Sequence, residues 1–217
     1  AEWEGDVNLG GKIQSGNSDS KNINIDAETK ANWDDIHRLT LSADYDWEQE
    51  NDEKVTDERE AAAAYDYFFA DKWFWNNAVS WKQDKIIDLD RRIQATTGLG
   101  YQFYDEDDLS LEVTFGPGYQ HEKYESQTAD NSMTANWTLD YEQAFYEDFF
   151  RLYHNHDLTS PTEDFNAWLF ESESGVKIPL KNGIVASGQV DYDWNNDPAV
   201  GEQEEDTTYS VKLGYEW

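Results

Sequence analysis

The chain of 217 residues carries 47 Asp and Glu against 16 Lys and Arg, a formal net charge of −31. Such a surface repels phosphate, which excludes nucleic acid as a partner. Low hydropathy with high charge can signal disorder, but 15% aromatic residues, with 10 Trp among them, require large buried or lipid-facing surfaces.

Taken in chain order, apolar residues recur with period two, in about twelve segments of roughly 9 to 13 residues. The first carries Trp3, Val7, Leu9 and Ile13 on one parity, the second Ile23, Ile25, Ala27 and Trp33, the third Leu39, Leu41, Ala43, Tyr45 and Trp47. Ala61, Ala63, Tyr65, Tyr67 and Phe69 form the fourth; Trp73, Trp75, Val79 and Trp81 the fifth; Ile93, Ala95, Leu99, Tyr101 and Phe103 the sixth. Leu109, Leu111, Val113, Phe115 and Tyr119 follow, then Met133, Ala135, Trp137, Leu139 and Tyr141. The ninth, around FFRLYHNHDL, has an open parity. Trp168, Phe170, Val176, Ile178 and Leu180 mark the tenth, and Ile184, Ala186, Val190, Tyr192 and Trp194 the eleventh. The last, TTYSVKLGYEW, keeps its apolar face through Trp217.

Connections after even segments are tight (WDDIH, ADKW, YDEDDL, AFYEDF, LKNG), and those after odd ones are longer, from SGNSDS to NNDPAVGEQEED. Short turns at one end and long acidic loops at the other, with an even strand count, match a bacterial outer-membrane barrel. No run approaches the roughly 18 consecutive apolar residues of a membrane helix, and no secretory h-region is present. The start at Ala1 and the absence of cysteine fit an exported protein whose signal peptide has been removed.

Alternation alone also suits a soluble barrel with its faces exchanged. The aromatics decide between them. Trp3, Trp33, Trp73, Tyr215 and Trp217 fall at the short-turn end, and Trp47, Trp81, Tyr192 and Trp194 near the loops, with aliphatics between. Two girdles around an aliphatic band are what two membrane interfaces select. The fold expected is therefore all-β: one transmembrane antiparallel up-and-down barrel over residues 1–217, with short periplasmic turns and long acidic extracellular loops. Its expected surroundings are outer-membrane lipid and lipopolysaccharide, and the barrel-insertion machinery reading the C-terminal strand.

The opening WEGDVNLGGKIQSGNSDSKNINIDAETK, the central LDRRIQATTGLGYQF and the closing DTTYSVKLGYEW resemble the domain-of-unknown-function family of salt-induced outer membrane proteins. The likeness spans the whole chain and is most specific in LGGKIQSGNSDSKN and GLGYQF. The resemblance implies a location and a fold, and brings no activity and no catalytic residues with it.

The polar parity is expected to line the lumen. Its acids include Asp26, Glu28, Asp44, Asp46, Glu112, Asp140, Glu171, Glu173 and Asp191, and its bases Lys12, Lys30, Lys82, Arg92, Lys177 and Lys212. Acids outnumber bases, so an aqueous path would favour cations. Twelve strands fall between barrels filled by side chains and barrels holding a channel, so interlocked side chains remain the alternative.

Four acidic runs, ENDE, DEDD, EKYE and EQEED, offer hard oxygen ligands for weakly held divalent cations, although none has the spacing of a defined calcium loop. No resident metal or cofactor is expected. His154 and His156 share a strand face, and Ser160 beside Pro161 gives no motif to complete a triad, so they read as interfacial histidines and the chain as no enzyme. Glycines 98, 100, 116 and 118 lie on the polar parity, where they relieve crowding or permit curvature, and Pro117 suggests a local bulge. Two functions follow: a narrow cation-preferring, porin-like channel, or a non-conducting barrel that acts on envelope structure or on partners and phage through its loops.

Overall fold

The computed structural model describes residues 2–14, 19–198 and 203–217. The twelve periodic segments become twelve strands: β1 (Glu2–Gln14), β2 (Ser20–Trp33), β3 (His37–Glu50), β4 (Glu53–Phe68), β5 (Trp73–Asp84), β6 (Leu89–Glu106), β7 (Leu109–Tyr124), β8 (Asp130–Phe145), β9 (Phe150–Pro161), β10 (Leu169–Pro179), β11 (Ile184–Asn195) and β12 (Glu205–Glu216). Each pairs antiparallel with its chain neighbour, and β12 returns to β1 to close the barrel. Closure leaves no free sheet edge, which is how a sheet satisfies its backbone inside lipid.

Leu9, Ile25, Leu41, Val79, Leu99, Phe115, Met133 and Leu213 are exposed on the outer wall, while polar residues occupy the opposite parity. Trp3, Trp73, Trp81, Tyr215 and Trp217 are exposed outward, and Trp33, Trp47, Tyr192 and Trp194 are half-exposed on the same face. A soluble barrel would bury this set.

Trp217 is tied into the closing ladder. Its N–H donates to the Gly5 carbonyl at 2.9 Å, and its carbonyl accepts from Gly5 N–H at 3.1 Å. A Cβ at position 5 would strike the Trp217 ring, so glycine there lets the indole lie against β1, where it stacks on Tyr215 at 6.2 Å.

The open parity of β9 resolves here. Arg151, Tyr153, Asn155 and Asp157 face the lumen, and Leu152, His154, His156 and Leu158 face out. The acidic connections differ from expectation in that much of their length is strand. EQENDEKVTDE, read as a long loop, is a hairpin closed by Asn51 and Asp52 alone, with φ of 46° and 67°. Two left-handed residues make the turn that matches strand twist, and Asn and Asp tolerate that conformation. No bulge forms at Pro117, since Thr96↔Gly118 and Leu99↔Phe115 keep one register past it. The shifts between β6 and β7 fall instead at Leu89/Arg91 and Gln102/Tyr104. Gly98 and Gly116 lie so close that a Cβ on either would meet the backbone of the other strand.

Candidate functional site in the lumen

The inward faces carry rows of directly opposed carboxylates. On one wall Asp26, Asp44 and Glu60 stand opposite one another across β2, β3 and β4. On the other, Asp157, Glu171, Asp193 and Asp206 do so across β9 to β12, with no base in the row. Like charges facing across a ladder destabilise a sheet by some tenths of a kcal/mol per pair, so such rows are unfavourable for folding. The two walls feel each other's charge: Glu60 and Glu171, Asp44 and Glu173, and Asp46 and Asp191 interact electrostatically. Asp44, Glu60, Glu171, Glu173 and Asp193 are inward-facing yet solvent-exposed, so this half of the barrel encloses space that solvent can reach.

Among the described residues the bases here are few and each is held. Lys212 Nζ sits 2.8 Å from Asp26, whose other oxygen accepts from Asn8 at 2.8 Å. Arg92 pairs with Glu122 at 3.2 Å, and Lys82 lies 3.5 Å from Glu58. Asp46 accepts from Asn24, and Asp191 from Gln189, which in turn accepts the Tyr153 hydroxyl at 2.7 Å.

The short-turn end is built differently. Arg38 of β3 reaches across to β7, donating to both Glu112 oxygens at 2.8 and 3.0 Å, while its Nε donates to Asp66 at 2.8 Å. Asn76 fills the other Asp66 oxygen at 2.7 Å. The guanidinium carbon lies 5.3 and 5.1 Å from the Phe68 and Phe74 ring centres. Phe74 is 1% exposed, in space that Gly100 leaves open, since a Cβ there would overlap its ring. Nearby, Arg151 and Lys177 each grip Glu142 at 2.9 Å, and Lys177 extends to Glu216 at 3.4 Å. Lys30 lies 3.3 Å from Glu28, and Asp140 opposes Glu112.

Of the lumen residues expected from sequence, Asp26, Asp44 and Glu171 fall in the rows, Asp46, Glu173, Asp191, Lys82, Arg92 and Lys212 lie beside them, and Glu28, Lys30, Glu112, Asp140 and Lys177 stand at the turn end. The side chain of Lys12 lies outside the described residues. Sequence reading missed Arg38 and Arg151. Extending the parity of Asp44 back along β3 reaches Arg38; Arg151 had no such signal while the facing of β9 was open.

His154 and His156 sit mid-strand on the outer wall, not at a strand end. Trp137 Nε1–H donates to His156 Nε2 at 3.0 Å; His154 Nε2 lies 2.9 Å from His156 Nδ1, and His154 Nδ1 lies 2.7 Å from Ser174 Oγ. A Ser, a His and a third polar group do converge. An indole N–H can only donate, however, so neutral His156 carries its proton on Nδ1 and gives it to His154 Nε2. His154 must then donate from Nδ1 to Ser174. A general base needs a lone pair facing the hydroxyl, and this proton order supplies none.

The family described as "Protein of unknown function, DUF481" matches residues 7–217. The chain belongs to this family. A relative in Escherichia coli (strain K12), "Uncharacterized protein YdiY", is 24% identical over 98% of this chain and 82% of its own length. Among solved structures, the NanC porin is similar with a TM-score of 0.59 at 11% identity, covering 97% of this chain and 98% of the porin. The translocator domain of the autotransporter NalP from Neisseria meningitidis gives 0.56 at 11% identity, covering 99% and 87%. The KdgM porin gives 0.50 at 13%, covering 98% of each. These likenesses share the outer-membrane barrel fold.

Proposed function

We propose that this DUF481 barrel is a narrow channel of the bacterial outer membrane that passes small solutes and prefers cations. The observation that carries the reading is the pair of opposed carboxylate rows, Asp26/Asp44/Glu60 and Asp157/Glu171/Asp193/Asp206, on facing walls, all but Asp26 exposed to solvent. Opposed acids disfavour the fold, and a mobile cation between the walls relieves the repulsion while being concentrated there. Lipid-facing aromatics and aliphatics support the membrane location, and the similar porins support a channel. The turn end then sets resistance, because the Arg38 brace spans the lumen where the path must leave it.

The second reading rests on that same brace. If Arg38, Glu112, Phe68 and Phe74, together with the Glu142 clamp, seal the turn end, the barrel does not conduct and acts through its loops. Proteoliposomes loaded with potassium separate the two. The channel reading expects potassium efflux faster than chloride efflux, slowed by Asp44→Asn, Glu171→Gln or Asp191→Asn. Tight liposomes with folded protein in the bilayer would favour the sealed barrel.

A further inference from the structure

The outer wall of β8 to β11 breaks the apolar belt. Trp137, His156, His154 and Ser174 form a continuous hydrogen-bonded line within it. The proton order derived above makes Ser174 Oγ the terminal acceptor of that line, so its own O–H remains to be given away. Among the described residues no acceptor takes it. Hydrocarbon offers none either, and an unspent donor facing lipid is costly.

Directly towards the loops lies an outward groove of about 570 Å³, lined by Leu158, Ser160, Phe165, Trp168, Phe170, Tyr192 and Trp194, with the Ser160 hydroxyl given to the Phe165 carbonyl. The Trp168 and Trp194 rings stack at 6.3 Å on its rim, and Phe170 lies 5.2 Å from His156 where the groove meets the polar line. Groove and line are thus one feature, running from the loop-end girdle to the middle of the belt. What lies against this wall is the lipid of the bilayer itself.

We propose that this wall is a binding site for an acylated lipid that carries an oxygen part-way down its acyl chain, as a hydroxyacyl group or a secondary ester. The chain occupies the aromatic groove, and the oxygen accepts the Ser174 proton. A headgroup cannot be the acceptor, because Ser174 lies four residues along β10 beyond Phe170, which itself closes the inner end of the groove away from the Trp168 and Trp194 rim. A plain acyl chain fills the groove and leaves the donor unmet. The relay serves to hold Ser174 in place: Trp137 fixes the tautomer of both histidines, and together they orient the hydroxyl.

The test uses the purified full chain in nanodiscs containing equal parts of a plain diacyl phosphatidylethanolamine and the same lipid bearing 3-hydroxyacyl chains. Lipid retained after detergent extraction is counted by native mass spectrometry. The wild type is expected to retain the hydroxyacyl lipid over the plain one by about fivefold, the worth of one hydrogen bond. Ser174→Ala removes the preference, Trp137→Phe weakens it, and Phe165→Ala lowers retention of both lipids while preserving the preference. Heat-modifiable electrophoretic mobility checks that each variant is folded. Equal retention of the two lipids by the wild type, or an unchanged preference in a folded Ser174→Ala protein, overturns the proposal. So does dimerisation of the wild type that Ser174→Ala abolishes, because the donor would then serve a second copy of the chain.

Discussion

The two halves of the lumen handle charge in opposite ways. Towards the loops, carboxylates oppose carboxylates in rows open to solvent. At the turn end, acids meet bases at hydrogen-bond distance, with Arg38 12% and Asp66 4% exposed under aromatic rings. The first arrangement costs stability and stores a field; the second stabilises a closed geometry and neutralises the field locally. In the proposed channel, selectivity and resistance are thereby separated along the axis, and each can be altered without the other.

The largest effect is expected from Arg38→Ala. It strands Asp66 and Glu112 in a poorly hydrated corner, at a cost of about 3 kcal/mol in unfolding from detergent. It also widens the turn end, so conductance rises while ion preference stays cationic. A conductance equal to wild type would break the assignment of resistance to this brace. Gly100→Ala comes next. The added methyl meets the Phe74 ring, which must shift, with a loss of about 2 kcal/mol measured the same way. Displacement of Phe74 towards the axis lowers conductance, opposite in sign to Arg38→Ala. Tyr153→Phe removes the hydroxyl that donates to Gln189, costing about 1 kcal/mol with little change in ion preference. The smallest change in stability is predicted for Asp193→Asn, and its sign is the sharp part. Removing one charge between Glu171 and Asp206 stabilises the fold by about 0.5 kcal/mol. It also moves the reversal potential towards zero. A destabilised Asp193→Asn protein would mean that the row is held together by contacts, not merely tolerated.

Alternation made the barrel legible from sequence because each strand repeats the same two-sided instruction. Leu213 and Lys212, or Ile25 and Asp26, declare their faces without reference to any partner. The ninth strand was harder to read, since Tyr153 is an aromatic that faces inward over Gly175 and the histidines are polar residues that face out. Loop lengths misled because polar alternation continues past the membrane band, where strand and loop have the same composition. The turn-end brace was hidden for another reason. Arg38 and Glu112 are 74 positions apart, and only barrel closure brings β3 and β7 across from each other. The outer-wall line was half visible, as two histidines two residues apart, but Trp137 and Ser174 come from the neighbouring strands β8 and β10, and only the register aligns them.

The central claim is that the opposed carboxylates form an aqueous, cation-attracting path. Reversal potential of the purified wild-type protein in a planar bilayer under a KCl gradient tests it most directly. Discrete conductance steps reversing on the side of the potassium equilibrium potential are the predicted result. Steps reversing on the chloride side, or a silent bilayer with insertion independently established, would contradict it.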